Sequence, residues 1–138
     1  SGSLGKPFAE PWFDPSLWRF DEGGVLYGTL PRGLSPEGYH DIVHGGAIAA
    51  LLDAAMTHCL FGRGVMGLTA EMQVRYRRPL SVGRETQVRA SLETSVGNQV
   101  YRLVATVSAD GEVKAEARGT FFRPPGGPVL GKVHSASV

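Results

Sequence analysis

Between about Gly45 and Phe61 the chain is apolar almost all the way around a helical wheel. Ala47, Ala49, Ala50, Leu51, Leu52, Ala54, Ala55 and Met56 are mostly strong helix formers. A helix with no polar face belongs in the interior, and Gly62 and Gly64 supply its stop. Upstream, an aromatic lead-in with Trp12, Phe13, Trp18 and Phe20 precedes a first predicted strand, Gly24 to Leu30, and a loop with Pro31, Gly33, Pro36 and Gly38. After the helix the period changes to two. Met72, Val74 and Tyr76 alternate with Gln73, Arg75 and Arg77 up to Pro79, and Val88, Ala90 and Leu92 alternate with Arg89, Ser91 and Glu93. Gly97-Asn98 turns into a strand from about Val100 to Ala109. Asp110-Gly111, a strong hairpin signal, leads to Val113, Ala115, Ala117 and Phe121.

One strand, one buried helix and four strands on short turns predict an α+β fold, with an antiparallel sheet of five or six strands wrapped around the helix. Such a sheet has two edges, which predicts pairing with a second copy. Residues 1–23 read as a lead-in, 24–123 as the domain, and 124–138, rich in Pro, Gly and Ser, as a loose tail. The 138 residues and 42% hydrophobic content suit one domain with its own core. A formal net charge of +1 gives no reason to expect nucleic acid or a membrane surface as partner. No run reaches the roughly 18 apolar residues of a membrane span. Cys59 is the single cysteine, which excludes an intrachain disulfide and fits a cytoplasmic setting. The four histidines lack metal-ligand spacing, so no metal is expected.

The candidate chemistry begins at Tyr39-His40-Asp41-Ile42-Val43-His44-Gly45-Gly46, which runs straight into the helix. First-turn N–H groups have no partner within the helix and sit at its positive end. They can hold a developing oxyanion, or the glycines can simply let the loop enter the helix. Asp53 is the one charged residue from Gly45 through Gly62. A carboxylate among alanines and leucines must be paired, turned to solvent or functional. Eight residues separate Gly45 from Asp53, roughly 12 Å of helix. Both cannot touch one carbonyl from the same helix; if both act, they act from different chains. His58 and Cys59, adjacent on the helix, point about 100° apart and do not form a nucleophilic pair.

His44-Gly45-Gly46, Leu51-Leu52-Asp53, Thr69-Ala70-Glu71-Met72 and Tyr76-Arg77-Arg78-Pro79 together resemble the hot-dog acyl-CoA thioesterases of the phenylacetic-acid-pathway (PaaI-like) type, over about Gly24 to Phe122. The resemblance implies hydrolysis of an aryl- or medium-chain acyl-CoA, with CoA as part of the substrate and no separate cofactor. It implies a homodimer with shared active sites, as a dimer of dimers. The Gly45 N–H would polarise the thioester carbonyl, and Asp53 of the partner subunit would act as general base or nucleophile. Thr69 stands where family members often carry a hydroxyl that positions water; a plain strand-start threonine is the other reading. The family often has Asn or Gln upstream of His-Gly-Gly; here His40 would donate that hydrogen bond. His44 is read as a loop stabiliser beside the chemistry. Substrate contacts fall to Gly46, Met56 and Arg75, Arg77 and Arg78, which with Arg84 form a dense cluster around Pro79. That cluster reads as a CoA-phosphate region or as a solvated strand face, Arg77 and Arg78 lying on opposite faces of an ideal strand. An enoyl-thioester hydratase of the same fold and a non-catalytic acyl-CoA-binding module are the alternatives.

Overall fold

The apolar segment forms helix α1, Gly45–Phe61, about 25 Å long at the usual rise. It buries Ile48, Leu51, Leu52, Ala55, Met56, Cys59 and Leu60. The structure, a computed structural model, describes residues 15–35, 37–39 and 41–125. Around α1 wraps a six-stranded antiparallel sheet of β1 (Trp18–Phe20), β2 (Leu26–Leu30), β5 (Leu68–Tyr76), β6 (Thr86–Val96), β7 (Val100–Ala109) and β8 (Glu112–Phe122), in the order β1-β2-β6-β7-β8-β5. Strands β3 (Glu37–Tyr39) and β4 (Ile42–Val43) make a small separate hairpin on the way into the helix. No helix among the described residues is long and apolar enough to cross a membrane.

The inner face of the sheet is built from small residues where it meets the helix. Ala105, Ala109, Ala115 and Ala117 are all buried, and a side chain on Gly119 would meet Met56 at 3.0 Å. Small residues let α1 approach the sheet closely, and Leu103, Val107, Val88, Leu26 and Phe121 fill the flanks. The β7–β8 turn, Asp110-Gly111, has positive φ at both residues, 55° and 74°, as a two-residue hairpin with right-handed strand twist requires.

Three elements differ from the sequence reading. The first full strand starts at Leu26, two residues late, because Val25 N–H bonds the Asp21 carboxylate in a turn. Trp18–Phe20 adds a sixth strand from within the aromatic lead-in. Trp18 lies opposite Gly28, where a Cβ would sit 2.9 Å from the indole carbons, so the missing side chain makes room for the ring. The predicted loop around Gly38 contains the β3–β4 hairpin. At the two edges, β1 has only three residues, whereas β5 has nine and no second neighbour.

Candidate active site

The two positions of α1 singled out in the sequence, Gly45 and Asp53, are both held by hydroxyls from β5. At one end the Thr69 hydroxyl donates to Asp53 Oδ1 at 2.8 Å. At the other the Tyr76 hydroxyl donates to the Gly45 carbonyl oxygen at 2.7 Å. A bulge makes the first contact possible. Thr69 pairs with Phe121 and Glu71 with Thr120, leaving Ala70 unpaired. That extra residue shifts the strand's alternation, so Thr69 falls on the helix side with Met72 and Val74, whereas strict period two would put it outside. Asp53 is half-buried, reached by solvent as well as by Thr69.

The helix entry is organised by His44. It is the N-cap in extended conformation, and its Nδ1 accepts the Gly46 N–H at 2.9 Å. Its carbonyl accepts the N–H groups of Ala47 and Ile48. Of the first-turn donors, Gly45 N–H alone has no acceptor among the described residues. His44 thus caps the helix, and Gly46 spends its N–H on that cap.

The remaining predicted site residues separate. His40 lies outside the described residues. Met56 is fully buried against Gly119, a core residue with no surface to offer a substrate. Arg77 binds Glu116 through Nε at 2.9 Å, Arg78 lies 3.4 Å from Glu112, and Arg84 lies 2.7 Å from Asp110. Arg77 and Arg78 fall past the end of β5, and both their N–H groups turn to the Lys114 carbonyl, so strict strand alternation does not apply to them. Arg75 makes no ion pair among the described residues. These exposed pairs contribute little to stability and leave the arginines reachable.

His58 stacks near Trp18, ring centroids 5.3 Å apart, and Cys59 is buried with weak contacts to the Gly24 and Ala90 carbonyls. Burial pushes the Cys59 thiol up, and the nearby Arg63 charge only partly offsets it. A thiol held neutral is a poor nucleophile. The described residues contain no cluster of His, Cys, Asp and Glu able to hold a metal. Tyr76, read in the sequence as one apolar position of an alternating strand and as part of the Tyr76-Arg77-Arg78-Pro79 motif but given no role at the site, touches the helix entry. An aromatic hydroxyl at a strand end just before the Arg77-Arg78-Pro79 turn was the one available sign.

Comparison with known proteins gives a consistent result. The sequence profile of the thioesterase superfamily matches residues 40–116. Rat acyl-coenzyme A thioesterase THEM4 is 30% identical over 78 residues, 56% of this chain and 34% of that protein. The chain thus spans well under half the length of the curated relatives it matches. A putative thioesterase from Ralstonia eutropha JMP134, described as phenylacetic acid degradation-related, is 25% identical with a TM-score of 0.69, over 82% of this chain and 90% of that one. The Escherichia coli PaaI protein shares the fold, with a TM-score of 0.71 at 17% identity over 91% and 93% of the two chains. Because the profile match covers more than half of its length, the chain belongs to the thioesterase superfamily.

Proposed function

We propose that this chain is an acyl-CoA thioesterase that hydrolyses an aryl- or medium-chain acyl-CoA to the free acid and CoA. The observation that carries the reading is the Asp53–Thr69 hydrogen bond. It orients a half-buried carboxylate by one oxygen and leaves Oδ2 without a hydrogen-bond partner among the described residues, free to face a water or the thioester carbon. The unengaged Gly45 N–H at the helix start supplies the second requirement, a donor aimed at developing negative charge. Thr69 thus acts on the carboxylate directly, and its bond supports the site reading over that of a plain strand-start hydroxyl.

In the general-base route, a water oxygen bonds to the carbonyl carbon while its proton passes to Asp53. The carbonyl oxygen, now negative, is held by Gly45 N–H. The tetrahedral adduct collapses, the C–S bond breaks, and the CoA sulfur leaves with a proton returned from Asp53. In the nucleophilic route, an Asp53 oxygen bonds to the carbonyl carbon and the C–S bond breaks to release CoA thiolate, leaving a mixed anhydride. Water cleaves the anhydride to the free acid and the Asp53 carboxyl group, whose proton passes to the thiolate. Both routes use the same two groups and need no cofactor.

Roughly 12 Å of helix separates Gly45 from Asp53, so each site draws Gly45 from one copy and Asp53 from the partner subunit. The long open edge of β5, with Leu68 and Tyr76 about half exposed and Met66 beside it, supports burial against a second copy. Two such dimers pairing again is the assembly the family resemblance suggests. Arg75, without an acidic partner among the described residues, is the cation of its cluster most available to a CoA phosphate. Work in the cytoplasm accords with the buried, reduced Cys59.

Release of free CoA thiol from a panel of aryl and aliphatic acyl-CoAs tests the reading. Wild type is expected to turn over at least one of them, and a folded Asp53→Ala variant is expected to lose about 10²–10⁴-fold in kcat. Tight acyl-CoA binding without hydrolysis would favour a binding module, and loss of an enoyl double bond would favour a hydratase.

A further inference from the structure

Gly45-Gly46 is the most pliable dipeptide a chain can place at a helix start, because neither residue has a Cβ to limit its backbone. A donor built into such a segment is useful only if something else fixes it, since a misplacement of about 1 Å at a reacting centre can cost on the order of 10²-fold in rate. Two side chains hold this segment. His44 Nδ1 takes the Gly46 N–H at 2.9 Å, and the Tyr76 hydroxyl binds the Gly45 carbonyl at 2.7 Å. The Gly45 carbonyl and the Gly46 N–H belong to one peptide group, so that group is held at both ends. The Tyr76 ring lies over Gly45, 3.4 Å from where a Cβ would be.

A purely structural tyrosine is a poor explanation. Tyr76 is 51% exposed within one copy, and any burial its ring gains at the β5 edge against a second copy would be gained equally by phenylalanine. The carbonyl it binds also accepts within the helix ladder, so no orphan acceptor is being satisfied. What the hydroxyl adds is order. Through Tyr76 and Thr69, β5 fixes the two groups of α1 that the chemistry would use.

We propose that Tyr76 is a positioning residue for the Gly45 N–H: its hydroxyl locks the Gly45–Gly46 peptide, which adjoins the His44–Gly45 peptide that carries the free donor, and so fixes the Gly45 backbone with that donor toward the thioester oxygen. The inference rests on the reading of Gly45 as the polarising donor. Tyr76→Phe keeps the ring and removes only the hydroxyl. Full-length Tyr76→Phe is expected to lose about tenfold in kcat with KM within about twofold of wild type, and to exchange its Gly46 amide proton faster. Tyr76→Ala is expected to lose more. Tyr27→Phe, a hydroxyl removed at a distant and exposed position, is expected to leave both constants unchanged. The proposal is overturned if Tyr76→Phe keeps wild-type kcat, if its loss lies in KM instead, or if the variant fails to fold. Asp53→Ala is assayed in parallel. If that variant is inactive and Tyr76→Phe is fully active, only the role of Tyr76 falls. If wild type turns over no thioester, the thioesterase reading falls and this inference falls with it.

Discussion

At the residue scale, the central feature is one half-buried carboxylate, Asp53, held through one oxygen by the Thr69 hydroxyl. Asp53 was legible because a single charge in seventeen helical residues has to be accounted for. Its partnership with Thr69 was not, because it depends on the unpaired Ala70, and a bulge has no sequence signature in a strand that otherwise alternates cleanly. If the hydroxyl orients the carboxylate for chemistry, removing it with little change in shape lowers turnover more than binding. Thr69→Val is expected to reduce kcat about tenfold with KM nearly constant, and Thr69→Ser to restore most of the loss. Steady-state kinetics on the best acyl-CoA of the panel checks both. Met56 marks the opposite case. An apolar helix position reads the same whether it faces a pocket or a core, and only packing against Gly119 assigns it to the core.

At the element scale, sequence and structure agree best where one physical rule dominates. The bounds of α1 follow from a largely apolar run that opens on a glycine pair and ends at a glycine stop, and the β7–β8 hairpin follows from Asp110-Gly111. Agreement is poorest for short elements. Three residues, Trp18–Phe20, cannot display a period, and their pairing depends on the gap at Gly28. The same holds for the β3–β4 hairpin inside a Gly- and Pro-rich loop. The entry to α1 offers a test of its own. His44 is an unusual N-cap that uses a ring nitrogen where Ser, Thr, Asp or Asn would use an oxygen. His44→Ala is expected to cost about 1 kcal/mol of unfolding free energy, and His44→Asn to recover most of it, measured by urea denaturation.

At the scale of the whole molecule, the sheet leaves the nine-residue edge strand β5 open, and the proposed reaction needs two groups of α1 that lie too far apart to serve one carbonyl, so the proposal requires an assembly. Family membership rests on more than half of the chain, whereas the shared site belongs to the proposal: helix geometry requires it if Gly45 and Asp53 both act on one thioester. Gly45 is the first residue of α1, and His44 before it has φ −60° and ψ 135°, the extended conformation that a following proline prefers. Gly45→Pro therefore removes the free N–H at a position where helices accept proline, while Gly45→Ala retains the N–H as a control. The decisive measurement mixes Gly45→Pro chains with Asp53→Ala chains after dissociation and follows CoA release. Each variant alone is predicted to be inactive. Random reassembly is predicted to restore about a quarter of wild-type activity, from the one intact site in each mixed dimer. Folded, exchanging variants that stay inactive when mixed would contradict a site shared between Gly45 of one copy and Asp53 of the other.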